Sequence, residues 1–252
     1  MTDRIRLIAC EVFVRELSAA VALSPNQVDI EWLPKGLHDK GGKAMAAAIQ
    51  ERIDAVDATR YDRISLAYAL CNNGLVGLQA RALPITAYRA HDCIACFLGS
   101  RERYDTEFAK TPGTYWQSPG WIERGGEGFF TASGQAEPAA DDPTWQRLLK
   151  KYGADNARFL WDELQAQVKH YERLAYIDTG VGPANHFAGV AEKRASEKGL
   201  RFEKLTGDAA WIRALIDGPL SGDRFLNIPP GQQVVATYDG SIAGARPVTP
   251  AV

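Results

Sequence analysis

The feature that most constrains the fold is a repeated alternation of short apolar segments with segments of helical periodicity. Strands are predicted over five extended segments, residues 5–10, 27–33, 61–70, 83–90 and 113–123. Segments with apolar residues at three- and four-residue spacing, such as the alanine-rich residues 41–56, separate several of these strands. Because strands that alternate with helices form mostly parallel sheets with helices on both faces, the sequence predicts an α/β fold.

The second half of the chain resumes this alternation after an interruption. Residues 124–143 are rich in Gly, Ala, Pro and Asp and predict a loop excursion. Residues 144–174 have a helical pattern that we expect to break near Gly153, and strands and helices alternate again after it. We therefore predict a first α/β half over residues 1–123 and a second over residues 144–252, packed on the first. Two Rossmann-like lobes around a cleft and one continuous sheet both agree with this pattern.

Composition excludes several classes of protein. The chain has 252 residues, of which 46% are hydrophobic, enough for a substantial core. Its 29 basic and 31 acidic residues give a net charge of −2, so we expect no nucleic-acid partner and favour a small-molecule substrate. Charges interrupt the N-terminal apolar segment well before the roughly 20 residues of a membrane span, and no signal-peptide pattern is present. We therefore predict a cytoplasmic protein, in which four cysteines are too few for a disulfide scaffold.

Reactive side chains follow three of the predicted strands. Cys10 ends the first strand, Cys71 follows the third, and His91 and Cys93 follow the fourth. The carboxyl ends of parallel strands meet at one edge of the sheet, where ligands bind. Zinc binds thiolate and imidazole ligands tetrahedrally and keeps one position open in catalytic sites. The sequence therefore predicts zinc held by Cys10, Cys71 and Cys93, with His91 as a ligand or a near neighbour.

The triplet His91-Asp92-Cys93 can contribute two ligands to one metal ion only in a particular backbone conformation. Side chains two residues apart point the same way on an extended segment but diverge once a helix has begun. His91 and Cys93 can therefore share one ion only if the helix begins after Cys93. Asp92 is predicted to cap that helix or to orient the imidazole of His91, and both residues are candidate catalytic residues.

The same cysteines have other interpretations. A buried cysteine is commonly a small core residue, and Cys96, which lies among apolar residues, is predicted to be one. Cys93 could instead be a metal-free nucleophile with His91 as its base. Cys93 and Cys96 also have the spacing of a redox pair, but they lack a glycine or proline between them. An iron–sulfur cluster is a further alternative, although the spacing matches no compact ferredoxin pattern.

Two groups in the first half are candidates for substrate binding. Asn73 and Gly74 lie in a glycine-containing turn after the third strand, whose backbone amides we expect to be free for a substrate anion. A tight turn without a ligand is the alternative. Arg89 lies close to the cysteines in sequence and is a candidate for binding a carboxylate.

Aromatic and acidic residues further along the chain supply three more candidates. Tyr115 and Trp116 lie near two Pro-Gly turns and could line a pocket for an apolar or cationic ligand. Packing of the loop onto the core is the alternative. Asp178 lies at the end of a predicted strand and is the best candidate for a general acid or base in the second half, or else it caps the following helix.

Several of these segments together resemble one known family. The stretches IACEVFVREL, YALCNNGLVGL, RAHDCIACFLGSRERY and GTYWQSPGWIE are similar to the family catalogued as domain of unknown function 1638. The resemblance covers Cys10, Glu11, Cys71, Asn73, Gly74, Arg89, His91, Asp92, Cys93 and Gly99. It implies an association with corrinoid-dependent methyl-transfer systems. The triplet also resembles the H-x-C motif of zinc-dependent thiol methyltransferases, but there the further cysteine lies downstream, whereas Cys10 and Cys71 lie upstream.

The function predicted from these observations is a zinc-dependent enzyme. Its metal would activate a thiol or water for methyl or one-carbon transfer, or for a linked hydrolysis. One alternative is a non-catalytic accessory protein that binds a corrinoid or a metal and partners a corrinoid protein or a methyltransferase. Another is a cysteine-nucleophile enzyme without a metal.

Overall fold

The computed structural model describes residues 2–124, 138, 140–168, 170–183, 185–237 and 239–248. Within them the chain forms two compact units. Unit 1 comprises Met1–Asp105, Thr179–Gly182 and Thr206–Val252, and unit 2 comprises Thr106–Asp178 and Pro183–Leu205. In the described part of the chain, no helix has the length and apolar character needed to cross a membrane.

The described residues contain ten strands and eight α-helices. The strands are β1 (Arg4–Cys10), β2 (Gln27–Leu33), β3 (Arg63–Ala67), β4 (Ile85–Tyr88), β5 (Thr114–Gln117), β6 (Arg173–Asp178), β7 (Arg201–Thr206), β8 (Phe225–Ile228), β9 (Gln232–Ala236) and β10 (Ala243–Pro247). The helices are α1 (Val14–Leu23), α2 (Gly42–Asp54), α3 (Cys93–Leu98), α4 (Arg101–Lys110), α5 (Pro119–Arg124), α6 (Pro143–Val168), α7 (His186–Glu197) and α8 (Ala210–Asp217). Short 3-10 helices cover Glu11–Phe13 and Lys35–Lys40.

Unit 1 is built on a five-stranded sheet in the order β2-β1-β3-β4-β8. The first four strands are parallel, and β8 pairs antiparallel with β4. Every residue of β3 and β4 is buried, which is typical of central strands covered on both faces. A separate antiparallel pair, β9 and β10, follows in the chain.

Aromatic side chains fill much of the core of unit 1. The ring of Phe13 stacks on that of Phe97 with centroids 4.9 Å apart and lies 5.6 Å from that of Tyr88. Trp211 of α8 meets Tyr88 edge-on at 6.1 Å. In α2 the buried residues Met45, Ile49 and Ile53 recur every four residues, so this helix buries a single face.

Unit 2 contains a three-stranded sheet in the order β5-β6-β7, in which β5 and β6 are parallel. The helix α6 breaks at Gly153, whose φ of 75° and ψ of 170° are not helical, as the sequence predicted. The indole rings of Trp145 and Trp161, on either side of this break, lie 5.9 Å apart. The two pieces of α6 therefore pack against each other around Trp161, which is fully buried.

The prediction of an α/β fold with a mostly parallel central sheet is confirmed. The predicted fifth extended segment was too long, because β5 ends at Gln117 and α5 begins at Pro119. Proline has no N–H to donate and a preset φ, so it starts a helix more readily than it continues a strand. Most of the predicted loop 124–143 lies outside the described residues. The two units interleave along the chain, whereas the sequence predicted consecutive halves, and the domain boundaries themselves stay a prediction.

Candidate functional site

The strand order of unit 1 places a topological switch point between β1 and β3. The strand β2 lies on one side of β1, while β3 and then β4 lie on the other. Connections from the carboxyl ends of β1 and β3 therefore leave in opposite directions, and ligands of open α/β sheets bind at such a point. Cys10 is the last residue of β1, and Cys71 lies four residues after the end of β3. The switch point therefore has a cysteine on each side.

The turn that carries Cys71 has an unusual backbone. Cys71, Asn72 and Asn73 have φ values of 40°, 56° and 60°, a left-handed conformation that costs free energy for any residue except glycine. The amide of Gly74 closes the turn by donating to the carbonyl of Leu70 at 2.8 Å. Strained backbone of this kind concentrates at functional sites.

Helix α2 holds this turn from one side through two glycines. A Cβ atom on Gly42 would lie 2.4 Å from the carbonyl oxygen of Asn72. A Cβ atom on Gly74 would lie 2.3 Å from the sulfur of Met45. The Asn72 oxygen belongs to the backbone and leaves no room for a Cβ on Gly42, whereas the flexible Met45 side chain can shift away from Gly74. The turn is therefore packed closely against α2 at Gly42.

The segment before α3 runs beside the same turn. The amides of Leu70 and Cys71 donate to the carbonyls of Ala90 and His91, both at 2.9 Å. Asp92 then caps α3 by accepting a hydrogen bond from the amide of Ile94 at 2.8 Å, as predicted. These contacts bring the turn after β3 and the start of α3 together.

Cys10 is buried and Cys71 partly buried at this edge, and both thiols hold their protons. Burial raises the pKa of Cys10 to about 11. Burial also raises the pKa of Cys71 to about 12, and the nearby Cys10 and Asp92 add to the increase. The backbone amide of Cys93 is close enough to the Cys71 sulfur to act in the opposite direction. Cys10 and Cys71 are therefore neighbours, and both are neutral thiols near pH 7 in this structure.

The phenol of Tyr68 is a member of this site that the sequence analysis missed. Its side chain is only 3% exposed, and its hydroxyl has no hydrogen-bond partner among the described residues. Burial raises its pKa most, followed by the nearby groups Cys10, Cys71 and Glu11. The strand predicted over residues 61–70 contains Tyr68, so the sequence did not distinguish it from a core residue.

A cavity of about 240 Å³ lies beside the start of α3. His91, Asp92 and Tyr104 contribute to its wall, together with Ala95, Arg101, Glu102, Asp105, Gly240 and Ile242. The pKa of Asp92 is raised by burial, against the effect of hydrogen bonds from the amide of Ile94 and the hydroxyl of Tyr104. The cavity is large enough for a small ligand and has charged and phenolic groups in its wall.

The predicted metal centre is not preassembled. Within the described part of the chain, no three His, Cys, Asp or Glu side chains form a group that could hold a metal ion. Helix α3 begins at Cys93 and not after it, so the stated condition for chelation by His91 and Cys93 is not met. His91 is exposed whereas Cys93 is buried. The ligand set Cys10, Cys71, Cys93 and His91 stays a prediction.

The predicted anion site at the glycine turn needs a correction. The amide of Gly74 is occupied by the carbonyl of Leu70, and the amide of Gly77 donates to Val234 at 2.9 Å. These amides are therefore not free for a ligand, because they stabilise the turn and attach it to β9. The side chain of Asn73 is exposed. Among the residues that the structure describes, the buried Nε atom of Arg89 has no hydrogen-bond partner, and its role in binding a carboxylate stays a prediction.

The remaining predicted residues lie in unit 2. Tyr115 packs edge-on against Tyr171, with ring centroids 5.5 Å apart. The ring of Trp116 lies 5.4 Å from the guanidinium of Arg173. Asp178, at the end of β6, forms an ion pair with Lys204 at 2.7 Å. Each of these three has a structural partner within unit 2, and their predicted roles in substrate binding or catalysis stay predictions.

Comparison with known families matches residues 32–216 to the family described as "Protein of unknown function (DUF1638)". The chain belongs to that family. The matched range includes Cys71, Asp92 and Cys93, whereas Cys10 lies before it. No curated protein and no solved structure matches this DUF1638 member.

Proposed function

We propose that the thiols at the switch point of unit 1 bind a zinc ion and that the site is catalytic. The proposed reaction is a methyl or one-carbon transfer, or a linked hydrolysis, on a small-molecule substrate. The observation that supports the proposal is that the free thiols of Cys10 and Cys71 lie near each other, one on each side of the switch point. We propose that Cys93, whose backbone amide lies beside the Cys71 sulfur, supplies a third sulfur donor.

The protonation of Cys10 and Cys71 favours a metal ion at these two thiols over a nucleophilic role for either of them. A nucleophilic cysteine needs a lowered pKa, usually from a nearby cation or a helix N-terminus. Here burial raises the pKa of both Cys10 and Cys71, so little thiolate is present near pH 7. A soft metal ion displaces thiol protons and binds the thiolates directly. When bound, zinc lowers the pKa of a thiol or water at its open position and so supplies the nucleophile.

The residue types of the donor set fit zinc, and Cys10 and Cys71 lie close enough to influence each other's protonation. Cys10, Cys71 and Cys93 are the three donors, and thiolates are preferred zinc ligands. His91 lines the adjacent cavity with Asp92, so this cavity is the proposed place for the substrate. In that position His91 and Asp92 would contact the substrate from one side and exchange protons with it.

We propose several further properties of this protein. They include two Rossmann-like lobes around a cleft with helices on both faces, a cytoplasmic location, and the roles of Asn73, Arg89, Tyr115, Trp116 and Asp178. A corrinoid or an iron–sulfur cluster remains the alternative cofactor. A non-catalytic accessory protein of a methyltransferase system remains the alternative function, and no observation on the described residues favours it.

Metal analysis of purified variants tests this proposal. We expect the wild-type protein to retain about one zinc ion per chain, as a single structural or catalytic site does. The double variant Cys10→Ala, Cys71→Ala should lose it. The matched control is Cys96→Ala, which removes a fully buried thiol that is not a proposed ligand. Equal zinc in the double variant and the control would overturn the proposal, and visible absorption of the anaerobically purified protein would favour a corrinoid or an iron–sulfur cluster.

A further inference from the structure

The sheet of unit 2 has polar side chains at its carboxyl edge, on the face that helix α7 covers. Leu174 and Tyr176 of β6 belong to one buried cluster with Phe187 and Ala188 from the first turn of α7. Side chains two residues apart in a strand point to the same face of the sheet. Asp178, the last residue of β6, therefore lies on the α7 face, at the edge where parallel sheets bind ligands.

The two neighbouring strands place further polar groups beside Asp178. Its carboxylate forms an ion pair with the ammonium group of Lys204 in β7 at 2.7 Å. Gln117, the last residue of β5, is paired in register with Tyr176. Tyr115, two residues before Gln117, packs against the same cluster as α7. The side chain of Gln117 therefore points to the α7 face, at the level of the first turn of that helix.

Gln117 and the next residue, Ser118, have buried polar atoms that the protein does not satisfy. Gln117 is 3% exposed and Ser118 is 0% exposed. Among the residues that the structure describes, neither the Oε1 atom of Gln117 nor the Oγ atom of Ser118 has a hydrogen-bond partner. A buried polar atom without a partner loses its hydrogen bonds to water without compensation. Two such atoms in consecutive residues indicate a polar ligand that the chain itself does not supply.

The N-terminus of α7 supplies positive charge at the same edge. This helix is 12 residues long, and within the described part of the chain its N-cap Asn185 makes no side-chain capping hydrogen bond. Its first four residues, numbers 186–189, include no aspartate or glutamate. Asn185 and the following histidine are exposed, so solutes can reach the helix terminus. Because Asp178 offsets the charge of Lys204, the helix terminus provides the net attraction for an anion.

We propose that this edge of unit 2 binds hydrogen phosphate, an anion that keeps a proton near neutral pH. The terminus of α7 and the ammonium group of Lys204 attract its negative charge, and the hydroxyl of Ser118 donates to one of its oxygens. The side-chain carbonyl of Gln117 accepts a hydrogen bond from the O–H of the phosphate. Binding involves no covalent step. All of these residues belong to unit 2, so the inference is independent of the zinc proposed in unit 1.

Sulfate is the matched control ligand, because it has the shape of phosphate but no proton to donate to Gln117. Calorimetric titration at pH 7 and equal ionic strength should show that the wild type binds phosphate about 10-fold more tightly than sulfate, the effect of one hydrogen bond to a charged group. Gln117→Met should bind phosphate about 10-fold more weakly than the wild type and should bind the two anions equally.

Two lysine variants test the electrostatic part of the proposal. Lys204→Met should also weaken phosphate binding about 10-fold, because it removes a cation that contacts the ligand. The matched control is Lys193→Met, which removes an exposed lysine further along α7 and should keep the wild-type affinity. Without phosphate, Gln117→Met should unfold at the same urea concentration as the wild type or higher, since it removes a buried group without a partner. This measurement separates lost binding from lost folding.

Three results would overturn the inference. The first is a wild-type protein that does not bind phosphate, and the second is a wild type that binds sulfate as tightly as phosphate. The third is an equal phosphate affinity in Gln117→Met, Lys204→Met and Lys193→Met. None of these results would alter the zinc content of the protein, so the proposed function is tested separately.

Discussion

The contact between Gly42 and the turn after β3 leads to a quantitative prediction. Gly42 is the first residue of α2, and its φ is not in the left-handed region, so alanine can adopt its backbone conformation. Alanine in place of a helical glycine stabilises a helix by at most about 1 kcal/mol. The added Cβ would, however, lie 2.4 Å from the carbonyl oxygen of Asn72, a distance that forces a displacement.

The turn has little freedom to yield to that displacement. Its left-handed residues are already strained, and the hydrogen bond from Gly74 to Leu70 closes its other end. Overpacking a site of this kind costs about 1–3 kcal/mol. We therefore expect Gly42→Ala to lower the free energy of unfolding by up to about 2 kcal/mol, the overpacking cost less the gain in helix propensity.

Urea unfolding measures this difference, and a second glycine provides the control. Gly189 lies inside α7, and a Cβ there would meet nothing within 4 Å. Gly189→Ala should therefore raise the unfolding free energy by up to about 1 kcal/mol. Because the displaced turn carries Cys71, Gly42→Ala should also weaken zinc binding. If Gly42→Ala were stabilised as much as Gly189→Ala, the turn would be adaptable and the argument for a rigid, strained turn would be refuted.

Three further changes have predicted outcomes. Arg173→Met should lower the free energy of unfolding by about 1–3 kcal/mol in urea, because the buried guanidinium bonds Glu107 at 3.2 Å and Glu203 at 2.9 Å, while Lys110 and Arg201 still pair these carboxylates without it; a loss below 1 kcal/mol would contradict this. Hydrogen bonds from Lys110 and Arg173 lower the pKa of Glu107 in the folded protein. The ionised Glu107 therefore contributes its full stabilisation above the unfolded-state pKa near 4.3, and this contribution is lost as the pH falls through the folded-state pKa. Between pH 6 and pH 2 the free energy of unfolding should therefore fall less steeply with pH in Glu107→Gln than in the wild type. Identical slopes in the two proteins would refute this role of Glu107. Asp92→Ala should lower the free energy of unfolding by about 1 kcal/mol through loss of the helix cap, whereas Asp92→Asn should keep most of this stabilisation in the same urea assay. Equal urea midpoints for Asp92→Ala and the wild type would show that the cap contributes little.

Local features of the fold were predictable because their causes are local. The end of β1 at Cys10, the cap at Asp92 and the break at Gly153 follow from apolar periodicity, capping chemistry and the conformational freedom of glycine. Each depends on residues within one or two turns of chain. The same reasoning placed Cys96 in the core, where it is fully buried.

The pairing of distant segments was not predictable in the same way. β8 joins the first sheet antiparallel to β4, although about half the chain separates them. Strand pairing of this kind depends on edges and faces that only the assembled sheet defines. The aromatic segment around Tyr115 and Trp116 has high strand propensity, but Pro119 ends it after four residues.

The positions of the cysteines along the strands were predictable, whereas their use as a site stays a prediction. Cys10 ends β1 and Cys71 follows β3 by four residues, at the carboxyl ends of two adjacent parallel strands. The sequence could not show that His91 is exposed, because the orientation of a side chain beside a helix start depends on the exact backbone. Tyr68 was missed because a tyrosine in a predicted buried strand looks like a core residue, and only the lack of a partner for its hydroxyl among the described residues distinguishes it.

The interleaving of the two units affects how the protein is made. Unit 2 has all its residues once synthesis has passed Leu205, whereas the sheet of unit 1 needs Phe225–Ile228 beside β4. During translation, one edge of β4 therefore stays unpaired until the whole of unit 2 and then β8 have been synthesised. Contacts so distant in sequence form slowly, and exposed strand edges recruit other chains. Overexpression at low temperature should accordingly give a higher yield of soluble protein than expression at high temperature.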